Sequence, residues 1–307
     1  MSCTSLAEVE ELLDGIGLDP AAVALIVAEA LAEDLGGRGV LPPCAGAGVD
    51  VTSVATIPAG DVARGEFVAR QGGVVAGMAV AAYVVAVVCA PEGEIQIDIH
   101  RRDGAMVVRG DVLMTVSGNA RALLRAERVA LNLLTLMSGV ATATHDWVSA
   151  LAGTSTKVRD SRKTVPGLRM LQKYAVRVGG GVNHRMSLAD AALIKDNHVI
   201  AAGGVVAAYR AVREAFPTLE VEVEVTTIEQ ARDVIEAGAT EILLDNMGPE
   251  ELSQAVAELG DRATFEASGG LTLADAAEVA RTGVDFVAVG AITHSVKILD
   301  IALDLTI

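Results

Sequence analysis

The chain has 307 residues, 40 acidic side chains against 24 basic ones, a net charge of −16 and a pI near 4.7. That balance excludes nucleic acid and anionic membrane surfaces as partners, because a phosphate backbone needs a broad basic face. Cys3, Cys44 and Cys89 are odd in number, widely spaced and without a CxxC pair, so no disulfide framework or thiolate metal site is expected, and a reducing cytoplasm is.

Residues 5–35 read as helical, with Leu12, Leu13, Ile16, Val23, Leu25, Ile26 and Leu31 on apolar faces and Pro20 marking a break. The first residues carry acids where an export signal carries positive charge, so no signal is expected. Residues 36–48, GGRGVLPPCAGAG, read as a loop. From Val51 to Val116 short alternating runs, FVAR, IQIDIH, MVVR and VLMTV, predict a small sheet-rich domain carrying one helix. Gly72 to Pro91 is uncharged over 20 residues, about the length that crosses a bilayer. Its continuous apolar run, Met78 to Ala90, is only 13 residues, which predicts a short strand, a turn and a buried helix instead.

Arg121 to Leu151 predicts a long helix bridging two domains, divided at 137/138 into 1–137 and 138–307. Beyond it, strand-like runs at 156–160, 191–195, 221–225, 241–245, 263–267 and 285–289 alternate with helical segments such as 228–237, 249–259 and 272–282. Alternating βα units with apolar strands predict a parallel sheet covered by helices, an α/β fold with too few strands for a complete eight-stranded barrel.

Nine of the 24 Lys and Arg but only two of the 40 Asp and Glu lie between Lys157 and Lys195. Crowding like charges is unfavourable unless an anion sits among them, so a small, heavily charged ligand is expected. In a βα barrel, functional groups sit where strands end. The ends here carry Asp160, Ser161, Arg162 and Lys163; Lys195 to His198; Glu222, Glu224 and Thr226; Asp245 and Asn246; Glu266, Ser268, Gly269 and Gly270; and Gly290. Glycines in the last two ends let backbone N–H groups approach an oxyanion. Arg162, His184 and Arg185 suit carboxylate or phosphate, with a structural role for His184 as the alternative. Glu224 and Asp245 either share a divalent metal with phosphate oxygens or neutralise Lys195 and Lys163.

The blocks AERVALNLLTLMSG at 126–139, RDSRKTVPGLRMLQKYAVRVGGGVNHR at 159–185, DAALIKDNHV at 190–199, EVEV at 222–225, ILLDN at 242–246, EASGG at 266–270 and AVGAITHS at 288–295 resemble, in order, those of the quinolinate phosphoribosyltransferases. The resemblance implies a type II phosphoribosyltransferase: an amino-terminal α/β sandwich-like domain followed by an incomplete, seven-stranded α/β barrel. It implies phosphoribosyl transfer from phosphoribosyl pyrophosphate to quinolinate with Mg²⁺, giving nicotinate mononucleotide, pyrophosphate and CO₂. It also implies at least a homodimer in which the partner donates Arg128 to the quinolinate pocket.

By the same resemblance Arg162, His184 and Arg185 complete that pocket, and Lys163 and Lys195 face quinolinate and the phosphoribosyl group. Glu224 and Asp245 hold ribose hydroxyls and Mg²⁺, directly or through water. Ser268, Gly269, Gly270, Val289, Gly290 and Ala291 surround phosphate. Ser161 stands where the family has Thr, keeping the hydroxyl, and the 36–48 loop is expanded. The rival readings are a nicotinate phosphoribosyltransferase, a non-catalytic binder on the same scaffold, and a lyase using Lys163 or Lys195 as a Schiff base.

Overall fold

The computed structural model describes residues 1–37 and 48–306. The loop expected at 36–48, with Cys44, falls almost wholly on 38–47, outside the described residues. Contacts divide the chain into two units, Met1–Thr142 with Pro166–Gly179 and Val296–Ile307, and Ala143–Val165 with Gly180–Ser295.

The chain opens with β1 (Ser2–Cys3), α1 (Leu6–Gly15) and α2 (Pro20–Asp34). Asp19 caps α2 by accepting from Ala21 N, and Pro20 takes the first helical position, where a missing N–H costs nothing. The expected break at Pro20 is therefore a helix start, and the two helices bend by 119°. Next comes α3 (Val51–Thr56), where strands were expected to begin. Asp50 Oδ1 accepts from Ser53 N at 3.1 Å, and this cap outweighs the strand preference of Val51, Thr52 and Val54.

The sheet-rich region contains β2 (Val62–Ala69), β3 (Gly73–Val74), α4 (Met78–Cys89), β4 (Gln96–Ile99), β5 (Met106–Val107) and β6 (Val112–Asn119). The uncharged run is β3, a turn and α4, with 11 of the helix's 12 residues buried. Asp103 closes the start of α4 by accepting from Gly77 N at 2.9 Å, Met78 N at 3.0 Å and Tyr174 Oη at 2.7 Å. Among the described residues no single helix is long and apolar enough to cross a membrane.

The long helix expected at 121–151 is α5 (Ala120–Ala150), shared between the units. Then follow β7 (Lys157–Arg159), α6 (Arg169–Val178), β8 (Ala192–Ile194), α7 (Asp196–Ala202), α8 (Val205–Ala215), β9 (Val221–Val225), α9 (Ile228–Glu236), β10 (Glu241–Asp245), α10 (Pro249–Leu259), β11 (Thr264–Ser268), α11 (Ala276–Arg281), β12 (Phe286–Ala288), α12 (Ala291–His294) and β13 (Ile301–Thr306).

In the first unit an antiparallel sheet has the order β1-β4-β6-β2-β13. Its edge strand β13, unexpected from the sequence, pairs with β2 from Ile301 opposite Ala69 to Thr306 opposite Arg64. The second unit is the incomplete barrel: a parallel sheet in the order β7-β12-β11-β10-β9-β8, one strand for each strand-like run. Val182 adds one parallel bridge to Arg159, so the implied seventh strand is reduced to a single residue. Val158, Val223, Ile242, Leu244, Phe265 and Val287 are at most 1% exposed and form the apolar face of these strands. Side chains alternate along a strand, so Arg159, Glu222, Glu224, Leu243, Asp245, Glu266 and Ser268 line the opposite face.

In the first unit Gly139 of α5 lies under the backbone that leads into β13. A Cβ there would meet Lys297 O at 2.3 Å and Ile298 Cα at 2.9 Å, both main-chain atoms that cannot swing aside. Gly139→Ala should therefore destabilise the protein by about 1–3 kcal/mol, although the same change in an open helix stabilises by about 1 kcal/mol. Urea unfolding midpoints decide between the two signs.

Candidate active site

The ends of β8, β9 and β10 bring three of the expected residues together. Lys195, in extended conformation, caps α7, and its Nζ lies 2.5 Å from Glu224 Oε2. Lys195 is half exposed while Glu224 is only 11% exposed, so the pair has one end in solvent. The Asp245 carboxyl is pushed above its ordinary value, first by burial and then by the charge of Glu224, with Asn246 and Lys195 opposing the rise. Glu224 is thus shared between a lysine and a second carboxylate, so an ion pair with Lys195 exists without leaving Asp245 a full counter-charge.

The ends of β7, β11 and β12 form a neighbouring cradle. Ser161 Oγ accepts from Lys163 N at 3.1 Å, and the Lys163 carbonyl accepts from Thr293 Oγ1 at 2.7 Å. A Cβ on Gly290 would stand 3.0 Å from Lys163 Cδ, so the lysine stem crosses the turn into α12, between Val289 and Ala291, at that glycine. Ser268 lies opposite Asp245, and its carbonyl accepts from Asn246 N at 2.9 Å. Gly269 has φ 110°, and a Cβ would meet Asn246 Oδ1 at 2.3 Å, so a glycine is required there. Gly270 follows at φ 60°.

Arg162 and Arg185 form the cationic wall. Arg162 Nε is buried and has no hydrogen-bond partner among the described residues. Burial, and then the charge of Arg162, draw the Arg185 guanidinium below its ordinary range, against Asp190 and Glu222. Arg185 Nη1 donates to Ala191 O at 2.8 Å, which fixes the fork. Arg128, alone among the expected residues, belongs to the first unit: it lies on α5, its side chain 61% exposed and 3.9 Å from Glu127.

The basic run is divided between the two units. Arg169, Lys173 and Arg177 lie on α6 in the first unit, where Lys173 is fully buried and Arg177 stacks 5.6 Å from the Tyr174 ring. The strand ends retain Arg162, Lys163, Arg185 and Lys195.

Sequence reasoning missed an ionic group on the same face of the strands. Arg159 Nη1 is 3.0 Å from Glu266 Oε2 and 3.7 Å from Glu222 Oε1, and His184 Nε2 is 2.6 Å from Glu222 Oε2. Both acids are 3% exposed. Beside them lies a cavity of about 390 Å³ lined by Arg159, His184, Arg185, Asp190, Glu222 and Glu241. The signal was available in VEVEV: a strand buried on both faces has no reason to carry an acid at every second place.

Burial, then the charge of Glu222, push the Glu266 carboxyl well above its ordinary value, while Arg159 opposes the rise. A carboxyl raised on folding gives the native state the extra proton, so stability falls as pH climbs from the unfolded value of 4.5 to the raised one. Glu266→Gln should flatten that fall. Melting temperatures of both proteins, followed upward from pH 4.5, should converge at the acid end and separate above it.

Two family models match, the quinolinate phosphoribosyl transferase N-terminal domain at residues 50–138 and C-terminal domain at 140–304. A nicotinate-nucleotide pyrophosphorylase [carboxylating] of Mycobacterium leprae is 53% identical, covering 84% of this chain and 92% of its own. A probable enzyme of the same name from Bacillus subtilis is 42% identical over 79% of this chain and 83% of its own. The solved nicotinate-nucleotide pyrophosphorylase of Francisella tularensis superposes with a TM-score of 0.85 at 35% identity, covering 93% and 96% of the two chains. The chain belongs to the quinolinate phosphoribosyltransferase family.

Proposed function

We propose that the protein transfers phosphoribosyl from phosphoribosyl pyrophosphate to quinolinate and releases CO₂, giving nicotinate mononucleotide for NAD synthesis. The observation that carries this reading is the buried Arg162 Nε, without a partner among the described residues, beside the guanidinium of Arg185. Two close, poorly solvated guanidiniums are unfavourable alone and favourable around a dianion. Quinolinate brings two carboxylates, whereas nicotinate brings one and has less need of the second fork.

Glu224 and Asp245 fit a divalent cation, because they are carboxylates at the ends of the paired strands β9 and β10 with side chains on one face. They would hold Mg²⁺, directly or through water. Bound there, the ion supplies positive charge against the developing pyrophosphate. Lys163 and Lys195 contribute the same kind of stabilisation from the strand ends, as fixed cations facing the anionic leaving group. Loss of pyrophosphate builds positive charge on the sugar, and the pyridine nitrogen attacks it. The resulting pyridinium stabilises the carbanion left when the adjacent carboxylate departs as CO₂, and that carbon takes a proton from water to give nicotinate mononucleotide. Ser268, Gly269, Gly270, Val289, Gly290 and Ala291 surround the phosphate with small side chains and backbone N–H groups.

Arg128 is assigned to the site of a partner subunit in a homodimer. Its exposure supports this, since a guanidinium without a strong partner of its own is available to another chain. The junction between domains is placed at 137/138, supported by family models that end at 138 and begin at 140. The free, buried thiols Cys3 and Cys89 suit a reducing cytoplasm, where the reaction is placed.

Incubation with phosphoribosyl pyrophosphate and Mg²⁺ should release CO₂ from quinolinate, and omission of either should abolish it. Turnover of nicotinate with none of quinolinate would replace this reading by the rival phosphoribosyltransferase. Arg162→Ala should lower kcat/KM at least about tenfold, since stranding a buried charge partner costs about 2–5 kcal/mol. Arg162→Lys should also weaken quinolinate binding, because an ammonium cannot reproduce the planar fork. For the shared site, Arg128→Ala and Lys195→Ala proteins should each be nearly inactive and regain activity when dissociated and reassociated together. A mixed dimer of this kind has one site with both lesions and one with neither.

A further inference from the structure

His184 is held at both ends. Its backbone N–H donates to Asp160 Oδ1 at 2.9 Å, and Asp160, 1% exposed, accepts from Asn183 Nδ2 at 2.6 Å through its other oxygen. The ring Nε2 lies 2.6 Å from Glu222 Oε2. An ionised carboxylate only accepts, so facing one Nε2 must be the donor, and that tautomer is part of what is proposed below. Glu222 is itself pinned. Arg159 lies 3.7 Å away, is anchored by Glu266 at 3.0 Å, and stacks with its Cζ 3.6 Å from the Phe286 ring centroid.

The ligand atoms of His184, Glu222 and Glu266 lie within 4.8 Å of one another, a spacing that suits a metal. The Arg159 guanidinium already stands against both carboxylates and supplies the positive charge that an ion would bring. The group therefore supplies its own cation, and its two partly exposed members are His184, at 11%, and Arg159, at 14%.

We propose that Glu222 is a positioning residue for quinolinate recognition: it holds the His184 imidazole in one orientation with a proton on Nε2, while Arg159 and Glu266 hold Glu222. The inference rests on the proposed function and on the family resemblance that puts His184 with Arg162 and Arg185 in the quinolinate pocket. An imidazole left to itself turns about its ring bond and exchanges tautomers, and each alternative offers the substrate a different nitrogen. A buried carboxylate behind the ring removes both freedoms before the substrate arrives, as the carboxylate behind a metal-bound histidine does. Glu222 acts through His184, so its loss weakens quinolinate binding and leaves phosphoribosyl pyrophosphate untouched.

The experiment compares His184→Ala, Glu222→Gln and the double variant by steady-state kinetics with each substrate varied. Glutamine keeps the size of Glu222 but can turn either its oxygen or its amide toward Nε2, so it no longer dictates the ring. Glu222→Gln should raise KM for quinolinate about tenfold with KM for phosphoribosyl pyrophosphate unchanged. In the His184→Ala background it should add nothing. Additive losses, or a silent Glu222→Gln beside a damaging His184→Ala, overturn this inference alone. An unchanged quinolinate KM in His184→Ala overturns the pocket placement and this inference with it. Long-range ¹H–¹⁵N spectra give a reading that needs no folded Glu222 variant, with the His184 signal assigned by its loss in His184→Ala. Wild-type His184 should carry its proton on Nε2, and a ring protonated at Nδ1 alone overturns the proposal.

Discussion

Two carboxylates buried inside the barrel, Glu222 and Glu266, cannot remain there without a cation, and Arg159 is that cation. The strands' period of two does the rest. Glu222 and Glu224 lie two residues apart on β9, as do Glu266 and Ser268 on β11, so each pair shares the inward face. The first member of each pair enters the Arg159 network, and the second stands at the strand end where chemistry is expected. One alternation therefore builds both the support and the site, and a register slip of one residue would move all four to the apolar face.

This arrangement explains how an acidic protein keeps a cationic pocket. The local excess of Lys and Arg is divided by the fold: Lys157 opens β7, Arg159 faces Glu222 and Glu266, Arg169, Lys173 and Arg177 lie on α6, and Arg162, Lys163, Arg185 and Lys195 remain where strands end. Those remaining cations are incompletely matched. Lys195 has Glu224, but Arg162 keeps a buried Nε with no partner among the described residues. An unmatched buried donor is a cost that an acceptor on a ligand removes.

The βα alternation was legible because strands buried on both faces are short apolar runs between helical periods, and all six runs are strands. The strand-end residues followed from the same pattern. What escaped depends on partners distant in sequence or on a single side chain. Residues 51–56 look like a strand by composition and become a helix through the cap of Asp50. Residues 301–306 form a strand only because β2 offers an edge more than 200 positions earlier. Val182 is a strand of one residue, too short for any periodicity. Glu266 is legible as a strand-end acid while Arg159 does not stand out at all, since nothing local shows that one guanidinium spans two acids across an interior.

The pairing of β13 with β2 also constrains how the chain is made. The first unit's sheet needs residues 62–69 and 301–306 together, so it stays one strand short until residues 301–306 are made. The second unit, closed by residue 295, has all of its strands earlier. On a ribosome the barrel can thus form while β2 still presents an open edge, and that edge is the place where a nascent chain is exposed to wrong pairing.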